Sequence, residues 1–316
     1  MIKYILNVLN AESNPNNYIF KYLLSITFIY IIYLIWKRYN RFKTSTEGFT
    51  QDEPYILKKN EEMYDEFYAE IHDEIHCPKN RIGHELLNVI NVTEPTIKNS
   101  VFLDIGSGTG DMVKHLSDAG YKTFGIDKSK AMVDVSEEKY PDCEYKVADA
   151  LDPMCFEHKS FSHILCTYFT LYEIRDKITF FKNCYNWLLP NGYLVIHLFD
   201  VDKFDAVSPA AKRNLVINPN KYAKKRIVKS VVKFENYIYN LSYDYRNVQQ
   251  KELYRKQQFE DKSTGHIREQ EDVLYIDSVN NILKMARYAG FNLYSQFNMK
   301  DNLDDEYQYI YILERV

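Results

Sequence analysis

Ten glycines and nine prolines are few for 316 residues, which excludes a collagen-like repeat and a low-complexity linker array. Five cysteines form no C-x-x-C pair, so neither a zinc ribbon nor a disulfide framework is present, and a reducing compartment follows. An excess of one charge is missing too. Forty basic against forty-four acidic residues leave a net charge of −4, which argues against polyanion binding as the main role. Only one apolar run approaches the length of a bilayer span, so a polytopic membrane protein is excluded. Aromatic residues, by contrast, are plentiful: 28 Tyr and 18 Phe. Codon bias in an AT-rich genome is the simplest account of that total, because Asn, Ile and Lys are abundant as well. With 46% hydrophobic and 27% charged residues, the chain suits one large domain or two modest ones.

The apolar run is Tyr18 to Trp36, YIFKYLLSITFIYIIYLIW, with Lys21 its only charge. As a helix it just matches a hydrocarbon core of about 30 Å, with Tyr18, Tyr22 and Trp36 at interfacial depth. Lys37, Arg38, Arg41 and Lys43 follow at once, so the positive-inside rule puts everything after residue 36 in the cytosol. A cleaved signal peptide wants a shorter apolar core and a small-residue cleavage site, and KRYNRFK is the wrong flank for it. The expected organisation is an N-terminal segment 1–17, a single-pass anchor 18–36, a polar linker 37–55 and a globular domain 56–316.

Within the domain, Tyr64, Phe67, Tyr68, Ile71 and Ile75 follow helical spacing from an N-cap at Asn60. Pro78 ends that helix, and a second is expected over 82–92. Strands at 101–105, 123–126, 144–147, 164–168 and 193–198 then alternate with helices at 111–119, 129–138 and 177–188. Such alternation predicts a doubly wound, Rossmann-like, mostly parallel sheet with helices on both faces. The register breaks over about 204–275, where VVKFENYIYNLSYDY and the residues from Lys251 to Asp261 read as an antiparallel insertion after the fifth strand. A helix over 278–289, ended by Gly290, and strands at 291–297 and 307–314 bring the sheet to seven strands.

The densest signal is VFLDIGSGTG, residues 101–110, a strand entering a glycine-rich turn before a helix. Backbone approaches a ligand closely at such helix starts. A dinucleotide site wants G-x-G-x-x-G, but the third glycine position falls on Asp111 or Val113, and no P-loop is present. Instead Asp104 precedes three alternating glycines, Gly106, Gly108 and Gly110, and a second acid, Asp127, ends the next strand. Carboxylates at both places suit a ligand with a cationic head and a ribose diol.

This D-x-G-x-G-x-G pattern resembles the class I S-adenosylmethionine-dependent methyltransferases. The resemblance extends to Val147-Ala148-Asp149-Ala150, to Leu189-Pro190-Asn191-Gly192 before the fifth strand, and to Ala289-Gly290-Phe291 before the last two. It covers roughly residues 60–316 and implies S-adenosylmethionine as cofactor. Asp104, Gly106, Ser107, Gly108 and Gly110 would cradle it, Asp127 and Lys128 would meet its ribose, and Asp149 and Ala150 its adenine. His163 departs from the family's frequent Asp at that position, which bears on packing.

Neither (D/N)-P-P-(Y/F) nor the Pro-Cys nucleophile nor a K-D-K-E tetrad is present, which disfavours the corresponding acceptors. Thr167 to Glu173, TYFTLYE, together with the insertion, looks like the small-molecule branch, where an N-terminal Tyr-Asp-x-(Phe/Ile)-Tyr helix closes over the methyl donor. Here that motif reads Tyr64-Asp65-Glu66-Phe67-Tyr68. The candidate catalytic residues are therefore Tyr64, Tyr68, Tyr172 and Glu173; core packing is the competing role for the tyrosines, and a solvated helix start for Glu173. His197, on a strand, is expected to be core.

His72 and His76 have the i, i+4 spacing of a helical zinc pair, but Asp73 replaces the protease Glu and no third ligand is evident, so no metal is expected. With Tyr68 and Ile71 on the apolar face, both histidines are expected to point elsewhere. Lys221, Lys224, Lys225, Arg226 and Lys229 form a basic cluster, read as a solvated face or a contact for anionic headgroups. Tyr237, Tyr239, Tyr243 and Tyr245 share one strand face and suit a substrate wall, a dimer contact or a core layer. Three readings stay open: an anchored methyltransferase of a small or lipid-like acceptor, a methyltransferase of protein or nucleic acid, and a non-enzymatic scaffold.

Overall fold

The computed structural model describes residues 22–23, 25–33, 51–213 and 218–316, and the chain divides into two compact units between Asp52 and Glu53. In the first unit, residues 22–23 and 25–33 are helical and exposed. Among the described residues no helix is long and apolar enough to cross a membrane. The span expected at 18–36 lies in part outside the described residues, as does most of the linker.

The second unit begins with strand β1 (Tyr55–Lys59), where the sequence suggests only the end of a linker. A 3₁₀ turn, Asn60–Met63, leads into helix α1 (Glu66–His76), and α2 (Lys79–Thr93) follows. The N-cap is Asp65, not Asn60, whose φ is +49°. The Asp65 carboxylate accepts from the Tyr68 N–H at 3.3 Å and from the Arg268 guanidinium at 2.7 Å, so a partner two hundred residues away selects the helix start.

The expected alternation then appears: β2 (Val101–Ile105), α3 (Asp111–Asp118), β3 (Lys122–Asp127), α4 (Lys130–Lys139), β4 (Glu144–Val147), β5 (Phe161–Cys166), α5 (Lys177–Trp187) and β6 (Leu188–Phe199). The insertion supplies β7 (Lys229–Lys233), β8 (Tyr237–Asp244), β9 (Glu252–Asp261) and β10 (Ile267–Tyr275). Helix α6 (Val279–Tyr288), β11 (Phe291–Asn298) and β12 (Gln308–Arg315) end the chain.

Seven strands form one sheet in the order β11-β12-β6-β5-β2-β3-β4, all running the same way except β12, which is antiparallel to both β6 and β11. Strand order reverses at β2/β5, and ligands of such sheets bind there, at the carboxyl ends of the strands. Phe102, Leu165, Val195 and Ile312 pack beneath Leu86, Met112 and Leu116 to make the core on one face. His163 belongs to this packing. Its ring stacks on Phe102 at 4.4 Å, and its nitrogens meet Ser162 and Thr93.

The insertion is a second sheet, ordered β1-β10-β9-β8-β7, in which β1 runs parallel to β10 and the rest are antiparallel. Within 231–245, a turn at 234–236 separates β7 from β8. Strand β10, absent from the sequence reading, carries Arg268, Gln270 and Asp272 on its buried face. That inverts the usual alternation of apolar inside and polar outside, so no strand pattern is visible. Tyr237, Tyr239 and Tyr243 are buried on the same face, with the Tyr237 hydroxyl donating to Glu74 of α1 at 2.8 Å. They form a core layer. In the basic cluster, Arg226 turns inward to the carbonyls of Val201 and Phe204, and Lys221 pairs with Asp304.

Candidate functional site

The site starts where β2 ends. After Asp104 the chain passes through Gly106, Gly108 and Gly110 at φ values of +70°, +53° and +84°. A Cβ on Gly106 would lie 2.5 Å from the Thr170 side chain, so only glycine fits that bend. The amides of Gly106 and Ser107 donate to the Ile126 carbonyl at 2.8 and 3.0 Å, which locks the loop to the end of β3. There the Asp127 carboxylate accepts from Gly108 N–H at 3.0 Å and from Ser129 N–H at 2.9 Å, one bond to each oxygen. A carboxylate offers about four lone-pair positions, so each oxygen keeps one for a ligand. Ser107 Oγ is buried with no hydrogen-bond partner among the described residues. Burial raises the Asp104 carboxyl to about 8, and it raises Asp127 against the pull of the two amides.

Helix α1 and the turn before it roof this loop. Ser129 Oγ donates to the Tyr64 carbonyl at 2.6 Å, and Lys128 bridges Glu61 to Asp149. Asp73 accepts from Thr109 Oγ1 and from Lys139, which also reaches Asp111 at 2.9 Å. Burial opposes ionisation of Asp73, but hydrogen bonds from His72, Lys139 and Thr109 prevail and hold it well below the ordinary carboxylate range. His72 sits over the loop, 3.6 Å from where a Cβ on Gly108 would stand.

The opposite wall comes from the insertion. Arg255 of β9, buried, donates to Asp272 at 2.9 and 2.7 Å, to Glu173 at 2.7 Å and to the Tyr64 hydroxyl at 3.1 Å. Tyr64 in turn donates to Glu173 at 2.7 Å. Burial, opposed by Arg255, puts Asp272 at about 6, and burial next to Glu173 raises the Tyr64 phenol well above its usual value. Tyr68, edge-on to Tyr64 at 5.4 Å, contacts His76 and Gln257.

Loop, roof and wall enclose one cavity of about 460 Å³. Asp104, Gly106, Ser107, Gly108, Asp127, Lys128, Asp149 and Ala150 line it, and so do Tyr64, Tyr68 and Glu173. Two of the expected residues do not. Gly110 lies at the start of α3, where a Cβ would strike Tyr145, so its part is to shape the loop. Tyr172 is core: it is buried against Phe199 and its hydroxyl accepts from the Phe199 N–H at 3.0 Å, so its phenol is already engaged and faces away from the cavity. His197 is likewise fully buried away from the cavity. His72 and His76, expected to point elsewhere, line it, because α1 is packed on more than one side and its polar stripe faces the ligand space.

Residues 103–196 match the methyltransferase domain family. This stretch, from β2 to β6, is a methyltransferase domain. A methyltransferase of Alkaliphilus oremlandii is 40% identical over 47 residues, an alignment that spans 15% of this chain and 22% of that protein. Among solved structures, the CcbJ methyltransferase of Streptomyces caelestis is similar with a TM-score of 0.60 at 16% identity, over 80% of this chain and 98% of that one. The S-adenosylmethionine-bound CalS10, an amino pentose methyltransferase of Micromonospora echinaspora, is similar with a TM-score of 0.52 at 13% identity, over 74% of this chain and 89% of that one. At those identities the two structures establish the fold.

The sequence placed neither His76 nor Arg255, Gln257 and Asp272 at the site. The histidine spacing was visible, but it was set against a metal alone. For the other three, the available signal was polar residues at alternate positions of two strands, 255/257 and 270/272, which marks a buried polar face.

Proposed function

We propose that this methyltransferase moves the methyl group of S-adenosylmethionine to a small-molecule or lipid-like acceptor by in-line displacement. The observation that carries this reading is the single cavity that joins the glycine loop to the Arg255–Glu173–Tyr64 wall. Its size lies in the range of small-ligand sites, about 300–1,000 Å³. The residues fit the cofactor. Asp104 would meet a cationic head, the free lone pairs of Asp127 a diol, the Ser107 hydroxyl and the α3 N-terminus a carboxylate, and Asp149 an adenine amino group.

Bound there, the cofactor supplies a methyl group already activated by sulfonium charge. The chain's own contribution would be position and exclusion of water: Tyr64 and Tyr68 roof the cavity, and Glu173, oriented by Arg255, would meet the incoming nucleophile. CalS10, similar in fold, is an amino pentose methyltransferase, which supports a small polar acceptor here. We further propose that residues 18–36 anchor the protein in a membrane with the catalytic domain in the cytosol. The run of apolar residues followed by Lys37, Arg38, Arg41 and Lys43 supports this.

Calorimetric titration with S-adenosylmethionine tests the cofactor, with Asp127→Ala as control. Absence of binding by the wild type would sink the proposal. Transfer of labelled methyl to pools of lipids, amines, proteins and RNA then separates acceptor classes. Expression in a eukaryotic host should leave Asn91 and Asn240, both in N-x-S/T sequons, without glycan; a glycan at either reverses the topology.

A further inference from the structure

Four side chains from three elements form a hydrogen-bonded series whose direction follows from its shortest contacts. The Tyr239 hydroxyl donates to Gln257 Oε1 at 2.9 Å, which turns the amide nitrogen of Gln257 toward Tyr68 Oη at 3.2 Å. Tyr68 Oη thus accepts from Gln257, and of the two acceptors within its reach its own proton takes the nearer, His76 Nε2 at 2.8 Å, over Gln257 Oε1 at 3.4 Å, which the Tyr239 hydroxyl already occupies. His76 Nε2 is therefore the acceptor nitrogen, and the ring proton sits on Nδ1, facing the Tyr168 hydroxyl at 3.4 Å. Tyr68, His76 and Tyr168 all line the cavity, and Gln257 and Tyr239 stand behind them.

We propose that Tyr68 and His76 are the pair that removes the acceptor's proton, Tyr68 at the nucleophile and His76 as the final base. The inference rests on the methyl-transfer reading and narrows it to a protic acceptor, a hydroxyl or an amine. The acceptor's lone pair forms the new bond to the methyl carbon while the carbon–sulfur bond breaks with its electrons left on sulfur. The acceptor's proton passes to Tyr68 Oη, and Tyr68's proton passes to His76 Nε2. One positive charge disappears at sulfur and one appears on the imidazole, so the net charge of the closed site is unchanged.

The surroundings suit a base that waits neutral. His76 faces Tyr68, His72 and Asp73 on its own helix, Arg81 on α2, Tyr168 beyond β5 and Arg255 on β9. Burial, with His72, Arg255 and Arg81 adding to it, holds the imidazole well below the ordinary histidine value of 6.5. Removal of the sulfonium charge is the event that raises its proton affinity, which couples proton uptake to methyl transfer.

Two measurements on the full chain test this. Nitrogen NMR of histidine-labelled protein, with His76 assigned by its loss in His76→Ala, needs no acceptor. It should show a ring neutral at pH 7, protonated on Nδ1, whose Nε2 signal moves in Tyr68→Phe. A proton on Nε2, or a doubly protonated ring, overturns the proposal. In the second, labelled S-adenosylmethionine is supplied with pools of amines and hydroxyl compounds. His76→Ala should bind the cofactor within twofold of wild type yet transfer methyl roughly 10²–10⁴-fold more slowly. Added imidazole should restore part of the rate, more so as pH rises through its own titration. A rate and pH profile unchanged in His76→Ala overturns the proposal while leaving the methyltransferase reading intact; failure of the wild type to bind cofactor overturns both.

Discussion

The two sheets of the globular unit face the same cavity and contribute to it in different ways. The seven-stranded sheet offers backbone: the amides of Gly108 and Ser129 set Asp127, and positive-φ glycines bring the main chain close to the ligand space. The five-stranded sheet offers side chains, with Arg255, Gln257, Gln270 and Asp272 buried on strands whose outer faces are solvated. A backbone cradle is set by turn geometry and tolerates change elsewhere. A buried polar wall depends on every partner at once, because an unpaired charge in low dielectric is costly.

The sharpest way to break the comparison is Arg255→Met. It strands Asp272 and Glu173, and should cost about 3–5 kcal/mol of stability by thermal or denaturant melting, as for other broken buried pairs. Cofactor affinity of the folded fraction should stay within twofold. An equal loss of affinity would mean that the two walls are one unit. Next is Asp127→Ala, which removes the charged acceptor on the other side. Affinity for S-adenosylmethionine should fall about 100-fold, near 3 kcal/mol for charge-assisted hydrogen bonds, with a smaller loss of stability than in Arg255→Met, about 1–3 kcal/mol for the amides of Gly108 and Ser129 left without their acceptor.

A smaller effect comes from Asp104. Its carboxyl, raised to about 8 by burial, is protonated in the free protein at pH 7. A cationic head group brought beside it favours the ionised form, so binding releases a proton. The association constant should therefore rise between pH 6 and 8, by at most about tenfold per unit, and Asp104→Asn should flatten the slope. The same shift makes the folded state hold a proton that the unfolded chain has lost above about 4. Its contribution to stability is accordingly lost as pH rises through that window, which pH-dependent melting can follow. The smallest change is expected from Tyr172→Phe. It loses the hydrogen bond to Phe199 N–H and about 1 kcal/mol, without effect on methyl-transfer rate. A large fall in rate with unchanged stability would return Tyr172 to the catalytic group.

The difference between the sheets also explains what the sequence reveals. The parallel sheet was legible because its strands are apolar runs and its loop needs glycine at fixed spacing, so Asp104, Gly106, Gly108 and Asp127 announce themselves. Tyr64, Tyr68 and Glu173 were readable from motifs on either side of that loop. The wall was not: Arg255 and Asp272 lie on strands whose polar residues face inward, and periodicity assigns such residues to solvent. His76 was misplaced for a related reason. A helix covered on several sides has no single apolar stripe, and α1 is held between α4, β8 and the cavity. Strand β1 had no local signal either, since its partner lies far along the chain.

That partner has a consequence for how the protein is made. Tyr55 pairs with Ile267, and Asp65 takes Arg268, so the roof of the cavity is among the first parts of the domain synthesised and closes only against one of the last. Contacts of such long sequence separation form slowly. On a ribosome the parallel sheet through β6 can be complete while residues 55–76 still lack a surface to dock on. The cofactor cradle is thus assembled open, and the enclosed chamber is a late product of folding.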